Sequence, residues 1–324
     1  MHSEVIRLYG DRSDVTLTTY VVADSKEMAK GKMRPAILIC PGGAYLSCSD
    51  REAEPVALRF AAMGYHAFVL RYSTYNEGKT GFPDLSKKPE PKELCQHPKP
   101  MQEIGKAFLI IREHAEEWRV DVDKIAICGF SAGAHNCSMY STYWHSPLLS
   151  EYFNEKPEVF KPAAAILGYT LSDYIYMKEQ AGRTEDPMGK VLFALSNTAF
   201  LGTDEPDEAK LDEVSPARHV TELNPPTFLW STAADSLVPV QHSIRMAHAL
   251  ADHKVPFEMH IFEEGAHGLS LATQASSGAK SEMNRDAAKW VDMVEAWLDK
   301  RLALPLPEKT EWEEMMLQSG NNIF

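Results

Sequence analysis

Ser131 stands in Gly129-Phe130-Ser131-Ala132-Gly133, directly after the apolar run Lys124–Cys128. A serine hydroxyl attacks a carbonyl only when a base can take its proton and when nearby donors can hold the negative charge that develops. The glycines allow a sharp turn from strand into helix, which would leave Oγ exposed beyond the end of the strand. Among the 12 histidines, His267 is the candidate base, because Glu264-Gly265-Ala266-His267-Gly268 forms a glycine-bracketed loop after the run Glu258–Phe262. His135 lies four residues beyond Ser131 on the expected helix, so it projects along that helix and reads as a hydrogen-bonded core histidine. His242, His248 and His253 fall on or beside another helix and read as surface residues.

The imidazole needs a carboxylate to fix its tautomer. Asp235 follows the run Thr227–Ser231, in Thr232-Ala233-Ala234-Asp235-Ser236-Leu237-Val238-Pro239, and so is expected at the same sheet edge as Ser131 and His267. Asp204, Asp207 and Asp212 lie in acidic turns and read as solvated carboxylates. For the oxyanion, Pro41-Gly42-Gly43-Ala44-Tyr45 follows the run Ala36–Cys40 and offers backbone N–H groups. Ala132, the residue after Ser131, offers another.

The elements that must position these residues are short branched apolar runs alternating with segments of helical period, the signature of β-α-β units around a mainly parallel sheet. Strands are expected over Ala36–Cys40, His66–Leu70, Lys124–Cys128, Ala163–Leu167, Thr227–Ser231 and Glu258–Phe262. Met101, Ile104, Phe108, Ile111, Ala115 and Trp118 recur every three or four residues and predict a helix over Met101–Trp118; a second is expected over Ala287–Leu302. Residues 73–100 are rich in proline and glycine and read as a long irregular loop. Residues 171–220 mix Tyr174, Tyr176, Met177, Met188, Phe193 and Phe200 with acidic turns and read as a small cap. The expected organisation is one hydrolase domain over 1–303, with those two insertions, followed by a tail over 304–324 with an amphipathic element at Trp312–Leu317.

The 324-residue chain has 44% hydrophobic and 24% charged residues, which excludes a largely disordered or collagen-like polymer. Its formal charge of −13 disfavours nucleic acid and anionic membranes as partners. The N-terminus MHSEVIRLYG has neither a basic nor an apolar leader region, and no apolar run reaches membrane-spanning length, so a cytoplasmic protein is expected. Its five cysteines fit reduced thiols; none has metal-ligand spacing, and neither metal nor cofactor is expected.

Taken together, the motif at Pro41–Tyr45, Gly64-Tyr65 before Leu70-Arg71-Tyr72, Gly129–His135, Asp235 with Val238-Pro239, and Gly265–Gly268 resemble the α/β-hydrolase superfamily over about Arg34 to Leu302. Within it, they resemble the esterase/lipase group that includes acetyl-xylan and related carbohydrate acetyl esterases. The chain order Ser, Asp, His is the one that fold uses. The resemblance implies a mostly parallel sheet with helices on both faces, a serine esterase with Ser131, Asp235 and His267 as its triad, and oxyanion donors from Gly43, Ala44 and Ala132. It also implies a structural role for Arg71-Tyr72.

Pro41 and Ala44 depart from the His-Gly-Gly-Gly motif of many relatives, which leaves open which N–H groups pair. Short acyl esters on small molecules or oligosaccharides are the expected substrates, with Tyr45 narrowing the acyl side and cap tyrosines stacking on sugar. A homodimer is an option that many such folds use. Three alternatives share the scaffold: a general carboxylesterase or lipase, a serine peptidase, which would normally carry a further large domain, and a non-catalytic binding protein that has lost its triad.

Overall fold

The computed structural model describes residues 1–28, 31–79, 89–183 and 187–318. Its strands are β1 (Val5–Tyr9), β2 (Arg12–Tyr20), β3 (Arg34–Cys40), β4 (His66–Arg71), β5 (Val120–Phe130), β6 (Ala164–Gly168), β7 (Thr227–Thr232) and β8 (Phe257–Phe262). They form one eight-stranded sheet in the order β1-β2-β4-β3-β5-β6-β7-β8. β2 is antiparallel to both β1 and β4, while all pairs from β4 through β8 are parallel. This is the architecture that the resemblance implies.

Each expected strand is present within two residues of its ends, except that β5 runs four residues earlier, to Val120. β1 and β2 were not foreseen. They lie at the antiparallel edge, where Arg7 interrupts β1 and threonines separate Val15, Leu17 and Tyr20 of β2, so they lack the continuous apolar run by which a doubly covered strand is read.

The helices are α1 (Glu54–Ala62), α2 (Lys99–Glu113), α3 (Ala115–Trp118), α4 (Ala132–Tyr143), α5 (Pro147–Phe153), α6 (Tyr174–Arg183), α7 (Pro187–Leu201), α8 (Glu208–Glu213), α9 (Gln241–Asp252), α10 (Trp290–Arg301) and α11 (Glu311–Gln318). The single helix expected over Met101–Trp118 is broken at His114, whose φ of −97° and ψ of 9° separate α2 from α3. The helix expected from Ala287 opens with a 3₁₀ turn at Ala287–Lys289 before α10. In the proline-rich stretch, residues 80–88 lie outside the described residues; of the remainder, Glu93–Cys95 is a 3₁₀ turn. Three helices, α6 to α8, fill most of the segment between β6 and β7. In the tail, α11 leaves Trp312, Met315 and Leu317 exposed.

Strand periodicity divides the core in two. Ala36, Leu38 and Cys40 of β3 join the apolar sides of α2, α4 and α9 on one face. Ile37 and Ile39 join α1 and α10 on the other, where Trp230, Trp290 and Trp297 are buried. No helix among the described residues is long and apolar enough to cross a membrane.

The register matters most for function. Cys40 pairs with Gly129, Phe130 with Gly168, and Thr232 with Phe262, so these parallel strands end at one edge of the sheet. The loops after β3, β5, β7 and β8 therefore open on the same side, the usual place for a site in a parallel sheet.

Candidate active site

Ser131 occupies the turn between β5 and α4 with φ 52° and ψ −122°, a strained conformation for a non-glycine residue. Backbone contacts hold it there. Its N–H donates to the Gly168 carbonyl at 3.0 Å, and its own carbonyl accepts from the His135 N–H at 2.9 Å. The turn is as tight as the two glycines suggest: a Cβ on Gly133 would lie 2.0 Å from the Cys40 carbonyl oxygen, and one on Gly129 would lie 2.3 Å from that of Gly133. A serine just before a helix commonly caps the first turn. Ser131 makes no such cap. Its Oγ lies 2.8 Å from His267 Nε2 instead.

His267 Nδ1 lies 2.7 Å from Asp235 Oδ2. The other Asp235 oxygen, Oδ1, accepts from the Leu237 and Val238 N–H groups at 2.9 and 3.0 Å. Asp235 is buried, and with two backbone N–H groups on Oδ1 the proton between Oδ2 and His267 is assigned to Nδ1. Nε2 is then left with a lone pair toward the Ser131 hydroxyl. Three residues read from separate stretches of sequence thus form one continuous hydrogen-bonded chain that can move a proton off Oγ.

Beside Ser131, Gly43 adopts a φ of 134° and Ala44 a φ of 55°. A Cβ on Gly43 would meet the Ser47 carbonyl at 2.2 Å, so this turn requires glycine. Both residues, like Ser131, line a cavity of about 240 Å³ that also contains Ser47, Arg51 and His267. Ala44 and Ser131 also border a second, apolar cavity of about 60 Å³, where Ala132, Leu192, Phe193 and Leu237 take part in the lining. The N–H groups of Gly43, Ala44 and Ala132 have no backbone or side-chain acceptor among the described residues and can serve an oxyanion between the two cavities. A larger groove of about 720 Å³, between α1 and α10, holds Leu58, Arg59 and Val291 and none of the triad candidates. The chemistry, rather than the volume, locates the candidate site.

Several side chains differ from expectation. His135 is a buried, hydrogen-bonded histidine, as foreseen: its Nε2 lies 2.8 Å from the Val214 carbonyl and its Nδ1 2.6 Å from the Tyr45 hydroxyl. The carbonyl can only accept, so Nε2 carries the proton and Tyr45 donates to Nδ1. Burial pushes the pKa of this imidazole down to about 3. Its ring nonetheless borders the small cavity, while Tyr45 stands behind it, stacked on Phe200 at 4.0 Å, and walls neither cavity. Tyr45 therefore reaches the small cavity only through His135.

His242 is a correction. It is fully buried, not a surface residue, because α9 packs its first turn against the segment after β6. There the Ser172 N–H donates to its Nδ1 at 3.3 Å, and Nε2 is buried without a partner among the described residues. Burial, with Arg245 nearby, lowers its pKa to about 3. Nor do the tyrosines of the 171–220 segment face the wider cavity: Tyr174 is buried beside the small one, and Tyr176 packs on His242 and under Arg245. Asp207 caps α8 through the Lys210 N–H, and Asp212 pairs with Arg218 and His219. Arg71 pairs with Asp50, and the Tyr72 hydroxyl donates to the Pro41 carbonyl at 2.7 Å, which supports the turn at Gly43.

The sequence reading missed Glu52 and Tyr169. Glu52 is buried, with one oxygen 2.7 Å from the Gly42 N–H and the other 2.5 Å from the Tyr169 hydroxyl. The Tyr169 ring meets His267 edge-on, with centroids 5.0 Å apart. Neither residue has a local sequence signature; an acid before a helix and a tyrosine after a strand are common.

The chain is similar to several known proteins. The BD-FAE family model matches residues 91–250. The chain is 31% identical over 243 residues to endo-1,4-beta-xylanase B of Butyrivibrio fibrisolvens, a match spanning 74% of this chain and 33% of that protein. The chain thus spans a third to a half of the curated relatives that it matches first. Among solved structures it is similar to MGS-M1, an alpha/beta hydrolase enzyme from a Medee basin deep-sea metagenome library, at 31% identity and a TM-score of 0.67, covering 93% of this chain and 98% of that one. An acetyl ester-xyloside bifunctional hydrolase from Caldicellulosiruptor lactoaceticus matches at 28% identity and a TM-score of 0.67, covering 92% and 96% of the two chains.

Proposed function

Since the chain belongs to the α/β-hydrolase family, we propose that it is a serine carboxylic-ester hydrolase that removes short acyl groups, foremost acetyl groups, from oligosaccharides or similar polyols. The observation that carries this reading is the Asp235–His267–Ser131 hydrogen-bonded chain, with Ser131 lining both a small apolar cavity and a wider one. The small cavity, about 60 Å³, suits a short acyl chain; the wider one, lined in part by Ser47, Ser49 and Arg51, would take the alcohol. The acetyl ester-xyloside hydrolase and the xylanase among its relatives favour sugar acetates. Helices α6 to α8 would form a cap over the acyl side, and the five unpaired thiols fit a reducing, cytoplasmic compartment.

In this mechanism Ser131 Oγ bonds to the ester carbonyl carbon while His267 Nε2 takes its proton. Asp235 stabilises the imidazolium that results. The oxyanion sits against the N–H groups of Gly43 or Ala44 and of Ala132. Collapse expels the alcohol, which takes the proton from His267 and leaves an acetyl-serine. Water then attacks this ester, giving its proton to His267, and acetate and the free serine are released. No cofactor enters these steps.

The test compares kcat/KM for p-nitrophenyl acetate, butyrate and octanoate, then follows acetate release from acetylated xylo-oligosaccharides. Preference for acetate with release of sugar-bound acetyl is expected. An optimum at octanoate without acetate release would replace this reading by a general carboxylesterase or lipase, and cleavage of a dipeptide amide would move it to the peptidases.

A further inference from the structure

We propose that Glu52 is a positioning residue for ester hydrolysis: one buried carboxylate that holds the oxyanion turn and the His267 loop in register. The inference rests on the esterase reading and adds to it a residue outside the triad and oxyanion donors.

Gly42 is held at both its backbone groups, which lie on successive peptide units, by the same short segment. Its N–H donates to Glu52 Oε2 at 2.7 Å, and its carbonyl accepts from the Ser49 N–H at 2.9 Å. The Gly42 carbonyl and the Gly43 N–H share one peptide plane, so holding Gly42 at both its groups fixes the direction of the Gly43 N–H. The fit is close: a Cβ on Gly42 would lie 2.8 Å from both Glu52 Oε2 and Ser131 Cβ. Glu52 Oε1 accepts from the Tyr169 hydroxyl at 2.5 Å, and that hydroxyl in turn accepts from the Ser270 N–H at 3.0 Å, three residues beyond His267. Tyr169 follows Gly168, whose carbonyl holds the Ser131 N–H, and its ring rests against His267. A single side chain thereby links the loops after β3, β6 and β8.

The chemistry calls for an anion. Gly42 can only donate, and with the Ser270 N–H occupying the Tyr169 oxygen the phenol proton points to Glu52, so both carboxylate oxygens must accept. A glutamine could accept at one oxygen and would turn an N–H₂ toward the other donor. Burial outweighs the other influences and holds the Glu52 carboxyl above its ordinary value, while the bonds from Tyr169 and Gly42 and the charges of His267 and Arg51 oppose it. Tyr72 and Cys128 also feel its charge, and both are neutral thiol or phenol groups held well above their ordinary values by burial. Of the groups facing Glu52, His267 is the one whose charge changes during the reaction.

The experiment measures kcat, KM and the inhibition constant of a trifluoromethyl ketone, which forms an oxyanion adduct with a reactive serine. All are expressed per active site titrated with a fluorophosphonate. Glu52→Gln is expected to lower kcat about 10- to 100-fold with KM nearly unchanged, to weaken the ketone in proportion, and to move the acid limb of kcat/KM to lower pH. Tyr169→Phe, which keeps the carboxylate and its Gly42 bond, is expected to lose about 3- to 10-fold in kcat, with ketone affinity falling alongside. If Glu52→Gln folds and retains kcat within about twofold and an unmoved acid limb, the proposal is overturned. If it does not fold, Tyr169→Phe decides, and unchanged kcat and ketone affinity there overturn it. A wild-type protein that neither hydrolyses p-nitrophenyl acetate nor reacts with the fluorophosphonate would instead sink the esterase reading, and this inference with it.

Discussion

Replacing His242 by asparagine should change how stability depends on pH by an amount that follows from the ring's surroundings. The imidazole is fully buried, and its Nδ1 accepts from the Ser172 N–H, so a second proton has no place to go. Burial is the main cause of its depressed pKa, about 3 against an ordinary 6.5; Arg245 and His135 add to the effect and Asp235 opposes it. Above pH 6.5 the ring is neutral in both folded and unfolded chains and makes no difference. As pH falls from 6.5 toward 3, the unfolded chain binds a proton that the folded chain refuses, so stability is lost on acidification. At pH 5, about 1.5 units below the unfolded value, the loss amounts to roughly 2 kcal/mol at about 1.4 kcal/mol per unit. Asparagine can still accept from Ser172 through Oδ1 but does not titrate. His242→Asn should carry a pH-independent cost on the order of 1–2 kcal/mol for the lost ring contacts with Tyr176. Between pH 7 and pH 5 it should regain about 2 kcal/mol relative to wild type. Effects of buried groups remote from His242, such as Glu52, are common to both proteins and cancel in the difference. Urea unfolding at pH 7, 6 and 5 measures this directly. Parallel stability curves for the two proteins would refute the argument and place the folded His242 pKa near its ordinary value.

Ser131→Ala should fold normally, lose nearly all hydrolysis of p-nitrophenyl acetate and fail to label with a fluorophosphonate; more than a few per cent of residual turnover would remove Ser131 as nucleophile. Asp235→Asn and His267→Ala should each cost on the order of 10³ or more in kcat, whereas His135→Ala should stay within about tenfold while losing stability with its two buried hydrogen bonds. An inactive, folded His135→Ala would reverse that assignment. Leu192→Ala opens the wall shared by the two cavities, so the butyrate-to-acetate ratio of kcat/KM should rise by about tenfold, read from initial rates on the two esters. Gly133→Ala places a methyl group 2.0 Å from the Cys40 carbonyl and should destabilise the fold by about 3 kcal/mol or more, seen as a lowered Tm or insoluble protein.

What could be read from the sequence was what local chemistry imposes. Ser131 was legible because its two glycines are needed where β3, β5 and α4 approach one another backbone to backbone, and that need is visible in five consecutive residues. His267 and Asp235 were legible because each follows an apolar run, and parallel strands deliver their trailing loops to one edge whatever their order in the sheet. The parallel strands themselves announced their burial on both faces by unbroken apolar composition. β1 and β2, broken by Arg7 and by threonines, did not. Tertiary structure alone decided the rest. His242 and a surface histidine such as His248 look alike on one helix, and only the packing of α9 against Ser172 buries the first. Tyr45 and Tyr176 were as plausible at the substrate as elsewhere until their partners, His135 and Arg245, claimed them. Glu52, Tyr169 and Ser270 lie in three different loops, 117 and 101 positions apart, and carry no pattern in common. Their hydrogen bonds exist because the sheet register brings those loops to the same edge, a relation between distant residues that no local stretch of sequence encodes.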